Sequence, residues 1–326
     1  MKARSTSSLD QVDPRQKWRE ALALLSMRRH AASRRQYIEG VLTRIDSMRS
    51  TYERLTGRSF AEARVFEIGY GAQPFRIIAL MSMGIRAKGI DLDMPMLRFS
   101  LPDLMEIRAR NGFERALKTG FRSLLFDRRD YAHLKSALEK RGYAIRIDPA
   151  DLLVGDAATF DFGPEPYDLV YSQDAFEHIP REGIQKIMAR LATRLAPNGL
   201  ALITPNIFTG ITGGHLPEWY WDSEDNQSPR RSEPWEHLRK KRFQANTWLN
   251  RLARKDYREL FSRHFEIVEE TVQEPSLGRH RLTPEIKAEL AQWDDEELFS
   301  NTVQFALRPR SASPGPPAEF MNSESS

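Results

Sequence analysis

Three short stretches hold residue types at spacings that suit chemistry. The first is Glu67-Ile68-Gly69-Tyr70-Gly71-Ala72-Gln73. Val65 to Ile68 reads as a short buried strand, two glycines follow, and Phe75 to Met83 repeats apolar residues at helical spacing. A strand, a glycine turn and a helix suit a nucleotide-like ligand. Gly69 and Gly71 let the backbone come close, and the helix N-terminus offers unpaired N–H groups and partial positive charge. The same residues also describe a plain tight turn. The second stretch is Gly89-Ile90-Asp91, with Asp91 24 residues beyond Glu67. An acid ending a second strand is placed to take both hydroxyls of a ribose, or else to cap the next helix. The third is Gly155-Asp156-Ala157. There an acid followed by a small residue can receive the exocyclic amine of an adenine.

A proton acceptor would come from the histidines. His178 follows the end of a fourth strand, and His215 lies in the glycine-rich run 209–216 after a fifth. Each is either a base or a loop-orienting residue. The Gly213-Gly214 pair gives the second loop a possible hinge, as in a lid. His133, His237, His264 and His280 fall in charged stretches and read as surface residues. No clustered metal ligands are legible along the chain, and no metal is expected. The absence of cysteine excludes disulfides, thiolate metal sites and a cysteine nucleophile, and fits a reducing, cytoplasmic setting.

Positioning these residues requires alternating strands and helices. Ala87–Leu92 reads as strand two, either Tyr143–Ile147 or Asp151–Val154 as strand three, Tyr167–Ser172 as strand four and Leu200–Thr204 as strand five. A helix carrying Ile184, Ile187, Met188, Leu191 and Leu195 on one face joins the last two and stops at Pro197-Asn198-Gly199. Phe265–Val272 and Asn301–Leu307 alternate as further strands, around a helical stretch Pro284–Leu290. The result is an α/β, doubly wound, mostly parallel sheet. Before it, Pro14 to Leu55 is helically periodic, through Trp18, Leu22 and Leu25 and then Tyr37, Ile38, Val41, Leu42 and Ile45. The expected organisation is an N-terminal helical cap over 1–60 with a disordered start and a main domain over 61–308. Insertions fall at about 94–142 and 209–248, and 309–326 forms a disordered tail. The first insertion reads as helices over 95–110 and 131–140 around the apolar and basic run 121–129. That run shapes an acceptor site or subunit contact, or is a surface helical insertion. The second holds Trp219, Trp221, Trp235 and Trp248 among Arg230, Arg231, Arg239, Lys240, Lys241 and Arg242. These either hold an anionic or sugar-bearing acceptor or pack the segment onto the sheet.

In this order, Glu67-Ile68-Gly69-Tyr70-Gly71, Gly89-Ile90-Asp91, Gly155-Asp156-Ala157, Tyr167-Asp168-Leu169-Val170, Glu177-His178-Ile179 and Leu195-Ala196-Pro197-Asn198-Gly199-Leu200 resemble a class I S-adenosylmethionine-dependent methyltransferase, of the type 11-like small-molecule group. The resemblance is strongest over about 60–206 and extends weakly to 308. It implies a Rossmann-like seven-stranded sheet closed by an antiparallel pair, and S-adenosylmethionine as methyl donor. Gly69 and Gly71 would approach the donor with their backbone, and Glu67 would fix the loop and its ligand. Asp91 would bind the ribose, Asp156 and Ala157 would frame the adenine, and Ser172 and Gln173 would line the methyl-transfer cavity. Gln73 departs from the family's third glycine, so its side chain must turn away from the methionine moiety or contact it.

The implied reaction is methyl transfer to an O or N atom of a small-molecule, sugar or lipid-precursor acceptor. A dinucleotide oxidoreductase shares the strand, loop and acid, but the loop lacks that fingerprint's third glycine. The same motifs also admit a non-catalytic S-adenosylmethionine-binding module or a nucleic-acid methyltransferase. Residues 1–60 hold 13 Lys or Arg against 6 Asp or Glu, so the basic surplus sits there and the rest of the chain sums to −3. A solvated helical face accounts for that surplus, because acids are interspersed, and nucleic acid is not the expected partner. No run approaches the ~18–20 apolar residues of a membrane span. The first residues have no apolar core of the kind a secretory signal needs.

Overall fold

The structure, a computed structural model, describes residues 31–220, 230–243, 245 and 247–310. The expectations for the disordered start, for Pro14, Trp18, Leu22 and Leu25, for Trp221 and for the tail beyond 310 lie outside the described residues.

Seven strands form one sheet. They are β1 (Arg64–Ile68), β2 (Arg86–Asp91), β3 (Leu152–Val154), β4 (Tyr167–Gln173), β5 (Leu195–Thr204), β6 (Phe265–Val272) and β7 (Val303–Pro309). Their spatial order is β3-β2-β1-β4-β5-β7-β6. β1 to β5 pair in parallel, and β7 pairs antiparallel to both β5 and β6. The order reverses between β1 and β4, which is where an open α/β sheet leaves a crevice beyond its strand ends.

The central strands are buried on both faces, as covered parallel strands must be. Val65, Leu169, Tyr171, Leu200 and Leu202 face one core; Phe66, Val170, Ala201 and Ile203 face the other. This is the period of two that a strand imposes on its side chains. Helix α1 (Ala31–Thr56) buries Ile38, Val41, Leu42, Ile45, Met48 and Tyr52 in the first core, at steps of three, four and seven. Tyr37 of the same run is exposed. Helix α2 (Phe75–Ser82) joins it there, and α6 (Arg181–Ala192) and α7 (Arg254–Ser262) cover the second core.

The first insertion is more helical than expected. Ser100 caps α3 (Leu101–Asn111), with its hydroxyl accepting from the Asp103 N–H, so the chain from 94 to 100 is irregular. Then α4 (Phe113–Arg122), a π turn (Ser123–Asp127) and α5 (Arg128–Lys140) run on without a break. Leu101, Met105, Phe113, Leu117, Phe121, Leu124 and Leu125 are each 53–65% exposed. Strand three is Leu152–Val154, and 143–147 is not a strand. Helix α6 ends at Ala192, so Leu195 opens β5 and not the helix face. The last helices are α8 (Pro284–Glu289) and α9 (Asp295–Leu298), which precede β7.

Candidate active site

The glycine loop leaves β1 with Gly69 and Gly71 both in the left-handed region, at φ 81° and 71°. Gly69 donates its N–H to the Ile90 carbonyl at 2.8 Å, which ties the loop to the end of β2. A Cβ on Gly69 would stand 2.3 Å from the Cβ of Ala175, in the loop after β4. Close approach of two protein loops therefore adds to the backbone demand there. A Cβ on Gly71 would meet nothing within 4 Å. Tyr70, between them, is buried against Gly89 and donates its hydroxyl to the Leu153 carbonyl. That contact across β1, β2 and β3 is not legible in the sequence.

Asp91 completes the loop. One carboxylate oxygen accepts from the Gly71 N–H and the other from the Asp93 N–H, each at 2.7 Å. Burial pushes its pKa up to about 6, against the lowering effect of the Gly71 N–H and of Arg115. Asp156 is exposed beyond β3, and one of its oxygens accepts from the Ala158 N–H at 2.9 Å; Ala157 is buried beside it.

Glu67 is 1% exposed and pairs with Arg76, in the first turn of α2, through one carboxylate oxygen. Its other oxygen has no donor. Burial raises its pKa, and Arg76 offsets only part of that rise. The Arg76 guanidinium lies 4.7 Å from the centre of the Tyr171 ring and reaches Gln173 at 3.4 Å, while the Tyr171 hydroxyl donates to Gln173 at 2.7 Å. Sequence reasoning does not find Arg76; the signal for it is a single charge in the first turn of the otherwise apolar Phe75–Ser82. Ser172 differs from its expected place. It is 1% exposed and donates its hydroxyl to the Ile68 carbonyl at 2.8 Å, so it braces β1 against β4 and does not line a cavity.

Gln73 turns away from the loop's open side. Its amide donates to Asp127 at 2.7 Å and to Asp130 at 3.2 Å, and its carbonyl oxygen accepts from Arg34 at 3.4 Å. Arg34 of α1 grips Asp130 through two nitrogens, at 2.5 and 3.1 Å, and Arg122 bridges Asp127 and the Ala72 carbonyl. The departure from a third glycine thus joins α1 and the first insertion to the loop through a buried polar network.

The ends of β4 and β5 bring together residues far apart in sequence. Asp174 and His215 both have left-handed backbone, at φ 54° and 52°. Glu177 lies in the short turn Phe176–His178, 3% exposed, and neither of its carboxylate oxygens has a hydrogen-bonded partner. Burial and the nearby Asp174 raise its pKa well above the usual carboxylate range, and the Glu177 and Asn206 N–H groups, near it but not within hydrogen-bond geometry, offset only part of that rise. His215 Nε2 is buried, lacks a partner, and stands 4.0 Å from Glu177 Oε1. Burial, then His178 and His237, lower the His215 pKa to about 3. The His178 and His215 rings meet edge to face at 5.1 Å, and His178 Nδ1 lies 3.0 Å from the Trp248 carbonyl. Thr204 and Asn206 add two more buried oxygens without partners. One atom from each of Glu177, His178 and His215 falls within 4.8 Å of the others. The expectation of no clustered ligands is therefore wrong: the fold assembles across β4 and β5 a group that the linear sequence separates.

The second insertion also needs correction. A Cβ on Gly213 would lie 2.2 Å from the Phe208 carbonyl oxygen, and one on Gly214 would lie 2.7 Å from the His237 ring. The glycines serve close packing, not a hinge. His237 is buried, with Nε2 2.8 Å from the Phe208 carbonyl, and is no surface residue. Trp219 and Trp235 pack in a third core with Ile211, Leu216, Leu290, Leu298 and Phe299. Arg239, Lys240 and Arg242 pair with Glu233, Glu236 and Glu289, so much of the basic run is already neutralised.

Residues 125–203 match a family model described as a methyltransferase domain. That stretch runs from the π turn into β5 and omits the glycine loop. No curated protein matches the chain. Solved structures similar to it include a Pyrococcus horikoshii protein, 14% identical over 82% of this chain and 90% of that one, with a TM-score of 0.40. Another is a Haemonchus contortus phosphoethanolamine N-methyltransferase in complex with phosphomonomethylethanolamine and S-adenosylhomocysteine, 19% identical over 81% and 53%, with a TM-score of 0.41. A third is a magnesium protoporphyrin IX methyltransferase from Synechocystis with bound S-adenosylhomocysteine, 13% identical over 84% and 82%, with a TM-score of 0.39. The strand order and the domain match over residues 125–203 support a class I S-adenosylmethionine-dependent methyltransferase fold. None of the described helices is long and apolar enough to cross a membrane.

Proposed function

We propose that the chain transfers a methyl group to an oxygen or nitrogen atom of a small-molecule acceptor, such as a sugar or lipid precursor. The observation that carries the reading is the group of buried Glu177 with half-buried His178 and His215, in the segments that follow β4 and β5. S-adenosylmethionine supplies an electrophilic methyl on a sulfonium. The residues of the first half suit its other parts. Asp91 keeps lone pairs for two ribose hydroxyls on the oxygens that already take Gly71 and Asp93 N–H groups. The donorless oxygen of Glu67 suits the ammonium of the methionine moiety, and Gly69 and Gly71 keep the loop backbone bare. Asp156 and Ala157 would meet the adenine, and Gln173, held by Tyr171 and Arg76, would face the methyl.

An in-line displacement requires the acceptor atom to be held on the axis of the departing sulfur, with water kept out. His178 and His215 are the residues we assign to that task. A histidine with a pKa near 3 is neutral at physiological pH but a weak proton acceptor, so His215 positions the acceptor more than it removes a proton. Methyl-labelled donor incubated with a panel of hydroxyl- and amine-bearing small molecules tests the reading. His215→Ala is expected to lower turnover about 10²-fold or more while S-adenosylhomocysteine affinity stays within ~1 kcal/mol. Transfer to no member of the panel, with label appearing instead on RNA or DNA, contradicts it.

A further inference from the structure

Glu177 is a buried carboxylate with no lysine or arginine paired to it among the described residues. A buried carboxyl group is ordinarily hydrogen-bonded, neutralised by a proton or bound to a cation, and neither oxygen of Glu177 makes a hydrogen bond. His215 does not pair with it: its Nε2 stands 4.0 Å from Glu177 Oε1, beyond hydrogen-bond reach. What remains is a set of lone-pair donors. There are two imidazoles and one carboxylate, each offering one atom within 4.8 Å of the others.

The groups behind these three side chains hold them in place. The His178 Nδ1–H donates to the Trp248 carbonyl in the tautomer that leaves the lone pair on Nε2. Fixing the far ring nitrogen on a carbonyl is how a ligating histidine is usually oriented. Asn250 clamps the turn that carries Glu177 and His178. Its side chain donates to the Phe176 and Ile179 carbonyls, at 2.8 and 2.9 Å, and its backbone N–H donates to the Glu177 carbonyl at 2.9 Å. Across the crevice, His215 is held in left-handed backbone by a tight turn in which its N–H donates to the Thr212 carbonyl. An observed backbone outlier of this kind at a crevice is a recognised pointer to function.

We propose that Glu177, His178 and His215 bind one divalent transition-metal ion of the zinc, cobalt and manganese group. Two imidazole nitrogens and one carboxylate suit these ions, whereas magnesium and calcium prefer all-oxygen sites. Ligand bonds of about 2.0–2.2 Å require the three atoms to close by roughly an ångström. Three protein ligands leave at least one open position, as catalytic sites do. In this proposal, which for the acceptor rests on the function proposed above, a hydroxyl oxygen of the acceptor occupies that position and releases its proton to water. The oxygen then forms the new C–O bond as the methyl–sulfur bond breaks, and the electron pair of that bond stays on sulfur. The products are a methyl ether and the neutral thioether S-adenosylhomocysteine. The ion would lower the pKa of the bound hydroxyl, so that it loses its proton at neutral pH.

The test uses the full chain without a histidine tag, stripped with chelator and desalted. It is titrated with Co²⁺, followed by visible absorption, and with Zn²⁺, followed by calorimetry. One ion per chain is expected, with the absorption of low-coordinate cobalt. Glu177→Gln and His178→Ala, each checked for folding by circular dichroism and thermal melting, are expected to weaken binding at least 100-fold. Absence of saturable binding in the parent chain, or equal binding in both folded variants, overturns the site. Methyl transfer that persists in chelator overturns the metal and leaves the transferase. A tightly bound ion without transfer to any small-molecule acceptor supports the site and removes only the acceptor reading.

Discussion

At the residue scale, the donor half of the crevice rests on a few atoms whose removal has distinct consequences. Gly69 combines a left-handed backbone with a 2.3 Å approach to Ala175. Gly69→Ala is expected to destabilise the fold by about 2–5 kcal/mol, from a non-glycine residue in the left-handed region and an overpacked contact together. Adding Ala175→Gly relieves only the contact, so urea melts of the double variant are expected to recover part of the loss. Asp91 gives a pH dependence. Its folded pKa of about 6 lies above the usual 3.8, so the folded state holds the extra proton between these values. This residue's contribution to stability is therefore highest below 3.8 and declines as pH rises through about 6. Under the proposed ribose role of Asp91, donor binding has the opposite sign, because ribose hydroxyls would donate to the ionised form. Affinity for S-adenosylhomocysteine is expected to fall as pH drops below about 6, measured by calorimetry across that range. The acids Glu67, Asp91 and Asp156 stand out in the sequence because strand ends and glycines flank them. Arg76, Gln73 and the grouping of His215 with Glu177 do not, because their partners lie on other elements. The hydroxyl of Ser172, placed by analogy in a cavity, is instead taken by the Ile68 carbonyl.

At the element scale, α1 is coupled to the glycine loop by one buried polar network. Arg34 is separated from Asp130 by 96 residues, with side-chain exposures of 10% and 1%. Arg34→Met leaves the buried Asp130 without its guanidinium partner, with only the Gln73 amide on it, and is expected to cost about 3–5 kcal/mol in chemical denaturation. Arg34→Met with Asp130→Leu is expected to be much closer to wild type, because no buried charge then remains unpaired. If the single variant is as stable as wild type, the network does not hold α1 to the loop. Elements with strong periodicity are legible: β6 has the expected bounds, and α2 and α8 each end one residue short of theirs. Strand three is ambiguous because it is a three-residue edge strand. The first insertion departs from its expected helices where a π turn lets α4 pass into α5, which hydrophobic spacing does not reveal. The glycines at 213 and 214 resemble a hinge because the sequence does not show His237 and the Phe208 carbonyl packed against them.

At the scale of the whole molecule, parallel pairing of β1, β2, β4 and β5 sets the loops after these strands along one edge of the sheet. The first half presents glycines and acids there, and the second half presents imidazoles and a buried carboxylate. This division is readable from strand order and motif order, since both follow from alternating strands and helices. The ligand cluster is not, because it needs the β4 and β5 loops to meet in space. In the proposed function, Asp91 and the glycine loop hold the methyl donor. Calorimetry with S-adenosylhomocysteine on the wild-type chain and on Asp91→Ala tests it most directly. One site in the wild type, weakened by ~1.5–3 kcal/mol in a variant that melts as the parent does, is the predicted result. Equal affinity in the two folded proteins, or no binding by the wild type, would contradict it.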